Sequence, residues 1–228
     1  MGVITPATTD KKQVGLKTLK VNEIFFSIQG ESTHSGLPTV FIRLTGCPLR
    51  CSYCDTAYAF HQGSNISIKD ILRETARYRT KYVTVTGGEP LAQKTCFDLL
   101  RQLCDEGYHV SLETGGSLDI SDVDERVIRV VDIKTPGSGE SSMNRYANLE
   151  HLTPQDQIKF VICDRQDYEW VRDMLHNMHL NELCEVLFSP SHDQLDAAML
   201  ADWILKDQLP VRLQIQLHKY LWGDIPGR

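Results

Sequence analysis

Runs rich in Val, Ile and Phe alternate along the chain with stretches of helical period, and this alternation is the strongest constraint on its fold. Residues 21–30 (VNEIFFSIQG) and 38–46 (PTVFIRLTG) read as strands. Residues 67–78 read as a helix, with Ser67 and Asp70 resembling a capping box and Ile68, Ile71, Leu72 and Ala76 on one face. KYVTVTGGEP (81–90) is a strand ending in a glycine turn, and 93–106 is a helix with Phe97, Leu100 and Cys104 on one stripe. HVSLETGG (109–116), RVIRVVDIKTPGSGE (126–140) and DQIKFVICD (156–164) follow as strands running into loops. Asp164 is placed to cap a helix reaching about 177. CEVLFSPSHD (184–193) is a strand and turn, and Asp193 is expected to cap a helix whose Leu195, Met199 and Trp203 share a face. PVRLQIQLHKY (210–220) reads as the last strand.

Strands alternating with helices predict an α/β fold with a mostly parallel sheet and right-handed crossovers. No repeat or inter-domain linker interrupts the pattern. The expected organisation is a polar lead-in over 1–18 and one catalytic domain over 19–228. The segments that follow strands carry the unusual residues. In α/β sheets the site lies at the carboxyl ends of the strands, so these loops are expected to meet on one rim.

Seven cysteines fall into two groups. Cys96, Cys104, Cys163 and Cys184 sit among apolar neighbours and read as small buried hydrophobes. Cys47, Cys51 and Cys54 crowd into GCPLRCSYCDT as C-x3-C-x2-C. Four thiolates would suggest structural zinc or a complete iron–sulfur site. Three can hold three irons of a [4Fe–4S] cube and leave the fourth open, and Gly46 and Pro48 suit the tight loop this needs. The alternatives at this point are zinc completed by His34 or His61, and a redox-sensing thiol cluster. The net charge of -6 counts against a polyanionic partner. No apolar run is long enough to cross a bilayer, and the opening residues lack a signal peptide's apolar core. The expectation is a cytoplasmic protein that binds neither nucleic acid nor membrane.

C-x3-C-x2-C with TGGEP (86–90) is similar to the paired signature of the radical S-adenosylmethionine superfamily. EIFFSIQGES (23–32), GLPTVFIRLTG (36–46), LETGG (112–116), DIKTPGSGE (132–140) and LQIQLHKYLWG (213–223) narrow the resemblance to the 7-carboxy-7-deazaguanine synthase family, over roughly 21–223. The resemblance implies a partial, open TIM-like barrel with a radical SAM core. It implies a lyase-type enzyme that converts 6-carboxy-5,6,7,8-tetrahydropterin to 7-carboxy-7-deazaguanine in queuosine biosynthesis, a tRNA-modification pathway. It also implies a [4Fe–4S] cluster, S-adenosylmethionine, Mg2+, a reductant such as flavodoxin, and a homodimer. Activases of glycyl-radical enzymes share the cysteine motif and a GGEP-like turn and are the competing reading.

Residue by residue, the resemblance assigns Cys47, Cys51 and Cys54 to the cluster and Thr56 to Mg2+. Tyr53, Cys54 and Asp55, then Gly88 and Glu89, fall to S-adenosylmethionine. So do Asp132, Ile133 and Lys134, and the segment Ser189, Pro190, Ser191 and His192. Ile28, Gln29, Gly30, Glu31, Thr86, Glu113 and His218 fall to the pterin. Arg43 stands in an otherwise apolar strand, where a charge is costly unless paired. A bidentate grip on the substrate carboxylate would explain it, and so would a structural salt bridge.

Overall fold

The computed structural model describes residues 17–223, 225 and 227. Most of the expected lead-in therefore lies outside the described residues, and Thr18 already opens the first strand. The strands are β1 (Thr18–Ile28), β2 (Pro38–Leu44), β3 (Ser64–Ser67), β4 (Tyr82–Gly87), β5 (His109–Thr114), β6 (Ile128–Asp132), β7 (Gln157–Ile162), β8 (Glu185–Pro190) and β9 (Arg212–Leu213). They form one open sheet in the order β3-β1-β2-β4-β5-β6-β7-β8-β9. β1 pairs antiparallel with β2 and β3, and every pairing from β2 to β9 is parallel. This is the mostly parallel, open α/β sheet expected from the sequence.

Period-two alternation gives the parallel strands two different faces. Val40 and Ile42, Val83 and Val85, Val110 and Leu112, and Ile158 and Phe160 join the buried apolar cluster. Their neighbours Arg43, Thr86, Glu113, Asp132 and Lys159 line a cavity on the opposite face. Apolar residues of the helices complete the core: Ile71 of α1 (Ile68–Thr75), Leu99 and Leu103 of α2 (Cys96–Asp105), Tyr168 and Val171 of α3 (Arg165–Asn177), Leu180 of α4 (Leu180–Leu183), and Leu200 of α5 (Ala197–Asp207).

The caps at Ser67 and Asp164 are as expected: their side chains accept from the Asp70 and Asp167 amides. Asp193 does not cap α5. It takes a left-handed φ of 61°, and Asp196 does the work, accepting from the Ala198 and Met199 amides. The buried stripe of α5 is Leu200 and Ile204, with Leu195 and Trp203 packed partly buried against the core and Met199 48% exposed. In α2 the buried face is Cys96, Leu99, Leu100 and Leu103, with Phe97 and Cys104 at its margin.

Three loop expectations change. Residues 64–67, just ahead of the helix and not expected to form a strand, pair with the start of β1, which gives their backbone groups partners. The last strand shrinks to two residues, and α6 (Leu217–Trp222) takes the rest, with the Leu217 amide donating to the Gly30 carbonyl at 3.0 Å. The QGES segment does not share a rim with the cysteine loop. β1 runs against its neighbours, so the turn after it opens where the parallel strands begin. Accordingly the Thr33 amide donates to Oε1 of Gln157, the first residue of β7.

Candidate active site

Beyond β2 the chain enters the cysteine loop, which is seated on the glycine turn after β4. The Gly88 amide donates to the Leu44 carbonyl at 3.1 Å and the Glu89 amide to the Gly46 carbonyl at 2.7 Å. A Cβ on Gly87 would lie 2.3 Å from the Leu44 carbonyl oxygen, so only glycine lets the two backbones meet there. Buried Leu49 anchors the loop, and Ser52 ties it to the β6–β7 connection through Ser138 and Gly137. Cys47 and Cys51 are half-buried and Cys54 is exposed, and all three line one cavity of about 570 Å³. Burial pushes the Cys51 thiol up to about 11 and raises that of Cys47. A coordinating metal is what turns such thiols into thiolates.

Among the described residues no three His, Cys, Asp or Glu groups converge to hold a single ion. The histidines that could have completed zinc are elsewhere: His34 packs edge-on to Tyr82 and His61 to Phe60, and neither lines the cavity.

Beside the cysteines, the ends of β6 and β8 form one wall. Asp132 and Lys134 face each other at 3.2 Å. Burial alone would lower the Lys134 ammonium, but Asp132 and, after it, Cys51 hold it above its ordinary value. Lys134 also lies 5.8 Å from the Tyr53 ring centroid. Tyr53 Oη, Asp132 Oδ1 and Ser191 Oγ are buried and have no partner among the described residues. Orphaned polar atoms on the wall of one cavity are costly unless a ligand completes them. A polar cofactor carrying hydroxyl and amino groups fits such a donor and acceptor set. Ser189 and Pro190 share this wall, and His192, 41% exposed, sits beside Asp193 at its mouth.

Two expected contacts are not on the wall. The Ile133 side chain belongs to the core, and only its backbone stays near, its amide donating to the Lys159 carbonyl. Glu89 is fully buried, and its carboxylate accepts from Thr114 Oγ1, the Gly115 amide and the Leu91 amide. It clamps the glycine turn to the end of β5, and burial raises its carboxyl above the usual range.

The other end of the cavity is built on the QGES turn. Gln29 donates to Thr84 Oγ1 and Glu113 Oε1 while its own Oε1 accepts from the Glu31 amide, so its amide is fully engaged. Glu113 accepts from Thr86 Oγ1 at 2.9 Å, and its carboxyl is raised by burial and by the charge of Glu31. Ile28 and Gly30 also line this end. His218 lies on α6 and not at a strand end. Its ring covers Gly30 so closely that a Cβ there would meet Nδ1 at 2.1 Å, and burial lowers its imidazole.

Arg43 pairs through Nε with Glu23 at 2.7 Å, and Tyr58 also donates to Glu23. The salt bridge weighed from sequence is therefore present, while the rest of the Arg43 side chain faces the cavity. Thr56 donates to Asp55, whose other oxygen faces Lys219 at 3.1 Å. The sequence reading passed over Lys159, which pairs with Glu31, and Gln216, which donates to both Glu31 and Asp55. Lys159 carries the same signal as Arg43, a charge inside the apolar strand QIKFVI.

The family model described as the radical SAM superfamily matches residues 41–181. The 7-carboxy-7-deazaguanine synthase of Chlorobaculum tepidum is 42% identical over 208 residues, 90% of this chain and 94% of that protein. That of Koribacter versatilis is 41% identical over 219 residues, 90% of this chain and 97% of that protein. Among solved structures, the crystal structure of QueE from Escherichia coli superposes with a TM-score of 0.72 over 88% of this chain and 95% of that one. At 23% identity that likeness speaks for the fold alone.

Proposed function

The chain belongs to the radical S-adenosylmethionine superfamily and, within it, to the 7-carboxy-7-deazaguanine synthase family, and from that premise we propose a division of its cavity into a cofactor half and a substrate half. The protein is a radical enzyme of lyase type in 7-deazapurine biosynthesis, with a [4Fe–4S] cluster and S-adenosylmethionine as cofactors. The proposed reaction converts 6-carboxy-5,6,7,8-tetrahydropterin to 7-carboxy-7-deazaguanine and ammonia. When bound, the cluster and S-adenosylmethionine supply the hydrogen-abstracting radical chemistry, and the chain supplies binding, orientation and exclusion of water.

In this reading Cys47, Cys51 and Cys54 hold three irons and leave the fourth to the methionine end of the cofactor. The unpartnered atoms of Tyr53, Asp132 and Ser191 support placing S-adenosylmethionine along that wall. Lys134, Gly88 and the segment 189–192 complete its contacts, and Asp55 and backbone groups of Ile133 flank them. Glu89 contributes by holding the turn and not by touching the cofactor.

The pterin occupies the end bounded by Gln29, Glu31, Thr86, Glu113 and His218. Carboxylates there suit its N–H-rich edge. The guanidinium of Arg43 takes the substrate carboxylate with the nitrogens that Glu23 leaves available. Thr56 is the proposed Mg2+ contact, with substrate oxygens and waters completing a six-oxygen shell.

We further take residues 19–228 as one domain and the protein as a cytoplasmic homodimer that uses a flavodoxin-like reductant, with no nucleic-acid or membrane partner. No described helix is long and apolar enough to cross a membrane. The observation that carries the reading is that one cavity joins three thiols to a walled end bearing Glu31, Glu113 and Arg43. The test is an anaerobic turnover assay with 6-carboxytetrahydropterin, reading the deazaguanine by mass. An intact cluster that cleaves S-adenosylmethionine yet yields no deazaguanine would sink the substrate assignment.

A further inference from the structure

Four charged side chains alternate in sign across the cavity: Lys134, Asp132, Lys159 and Glu31. Lys134 Nζ is 3.2 Å from Asp132 Oδ2, and that same oxygen is 3.8 Å from Lys159 Nζ. Lys159 in turn pairs closely with Glu31. None of the four side chains is more than 17% exposed. Asp132 and Lys159 are register partners on β6 and β7, so their relation is fixed by the sheet. Glu31 arrives from the turn after β1, at the opposite end of the parallel strands. Gln216 donates to its second oxygen at 2.8 Å.

Lys159 is thus the member that faces both ends. One ammonium is shared by two carboxylates, and it stands nearer to Glu31. In a poorly screened site, weakening one partner shifts the ammonium toward the other. If Glu31 loses charge or turns to a ligand, Lys159 is drawn to Asp132. It then competes for the carboxylate whose Oδ1 is buried without a partner.

We propose that Lys159 is a positioning residue that couples the two halves of the cavity, so that engagement of Glu31 on the substrate side changes the affinity for S-adenosylmethionine on the Asp132 side, and the reverse. The inference rests on the cofactor half of the proposed function. Linkage makes such an effect reciprocal.

The test uses reconstituted protein with its cluster unreduced, so that nothing turns over, and measures Kd by equilibrium dialysis. Glu31→Gln leaves Asp132 as the carboxylate in ion-pair range of Lys159, with Glu113 acting on it from farther off, and S-adenosylmethionine should bind about fivefold or more weakly. Adding Lys159→Met removes the competitor together with its stranded charge, and affinity should return to within about twofold of wild type. This second-site rescue separates coupling from a merely structural ion pair, which predicts a double variant no tighter than Glu31→Gln alone. In wild type, S-adenosylmethionine should also change the Kd of 6-carboxytetrahydropterin by about fivefold, and in the double variant by less than about twofold. Failure of the rescue, or a Glu31→Gln variant with wild-type affinity, overturns the inference. Two other results fall on the proposed function instead. Asp132→Asn with undiminished S-adenosylmethionine affinity removes the cofactor half. A wild-type protein that binds the cofactor and not the pterin removes the substrate, while the rescue still decides the role of Lys159.

Discussion

A side chain on Gly88 would place its Cβ 2.3 Å from the carbonyl oxygen of Gly46 and 2.9 Å from the Cβ of Cys47. The glycine turn is therefore the seat of the cysteine loop, and the obstacle is backbone that cannot rotate aside. Gly88→Ala should push the loop off its seat at a cost on the order of 1–3 kcal/mol, typical of overpacking. The expected outcome is a folded chain, by far-ultraviolet circular dichroism, that retains much less iron than wild type after anaerobic reconstitution. Full iron retention would show that the loop tolerates the shift.

Cys51→Ala separates cluster assembly from folding. The thiol is half-buried and free of any disulfide. Its loss from the cluster-free chain should change stability by no more than about 1 kcal/mol, within the range of ordinary substitutions. Brown absorption and S-adenosylmethionine cleavage should both vanish. A variant that still cleaves the cofactor would remove Cys51 from the proposed ligand set.

Much of this was legible because strands write both faces into the sequence. In VTVT (83–86), VSLE (110–113) and IKFV (158–161), apolar positions meet the helices and the interleaved Thr86, Glu113 and Lys159 meet the cavity. The cysteine and glycine motifs were legible because their spacing reflects a local backbone contact. What failed was longer in range. LQIQLHKY alternates like a strand, but β8 offers β9 only two paired positions, and the Gly30 carbonyl then captures the chain as α6 begins. Glu89 looked like a ligand because its partners, Thr114 and Gly115, come from the next strand. Glu23 was invisible as the partner of Arg43 until β1 and β2 were paired in register.

That register pair makes Arg43 a dual residue. The ion pair to Glu23 is 17% and 23% exposed, and the guanidinium also lies 5.7 Å from the Phe25 ring centroid. Arg43→Ala should cost on the order of 1–3 kcal/mol for a charged hydrogen bond left unmade, and should weaken pterin binding as well. Glu23→Gln keeps an oxygen to accept from Nε, so its pterin Kd should stay within about threefold of wild type, a modest neighbour effect. If both variants lose affinity equally, Arg43 holds the wall and does not grip the substrate.

Asp55 gives the site a pH signature with a definite sign. Burial works to raise its carboxyl, but the Thr56 hydroxyl, the Lys219 ammonium and Gln216 hold it well below the usual range. The unfolded chain titrates this group near about 3.9, so between the two values the unfolded state binds more protons. The stabilisation is complete above the unfolded value and is lost as pH falls through the folded one. In thermal melts of the cluster-free chain, Asp55→Asn should therefore unfold earlier than wild type at neutral pH, and the gap should close as the medium is acidified below about 3.9. Because the side chain is 43% exposed, added salt should narrow the gap at neutral pH too. A gap that ignores both acid and salt would mean that shape, and not the charge facing Lys219, joins the cysteine loop to α6.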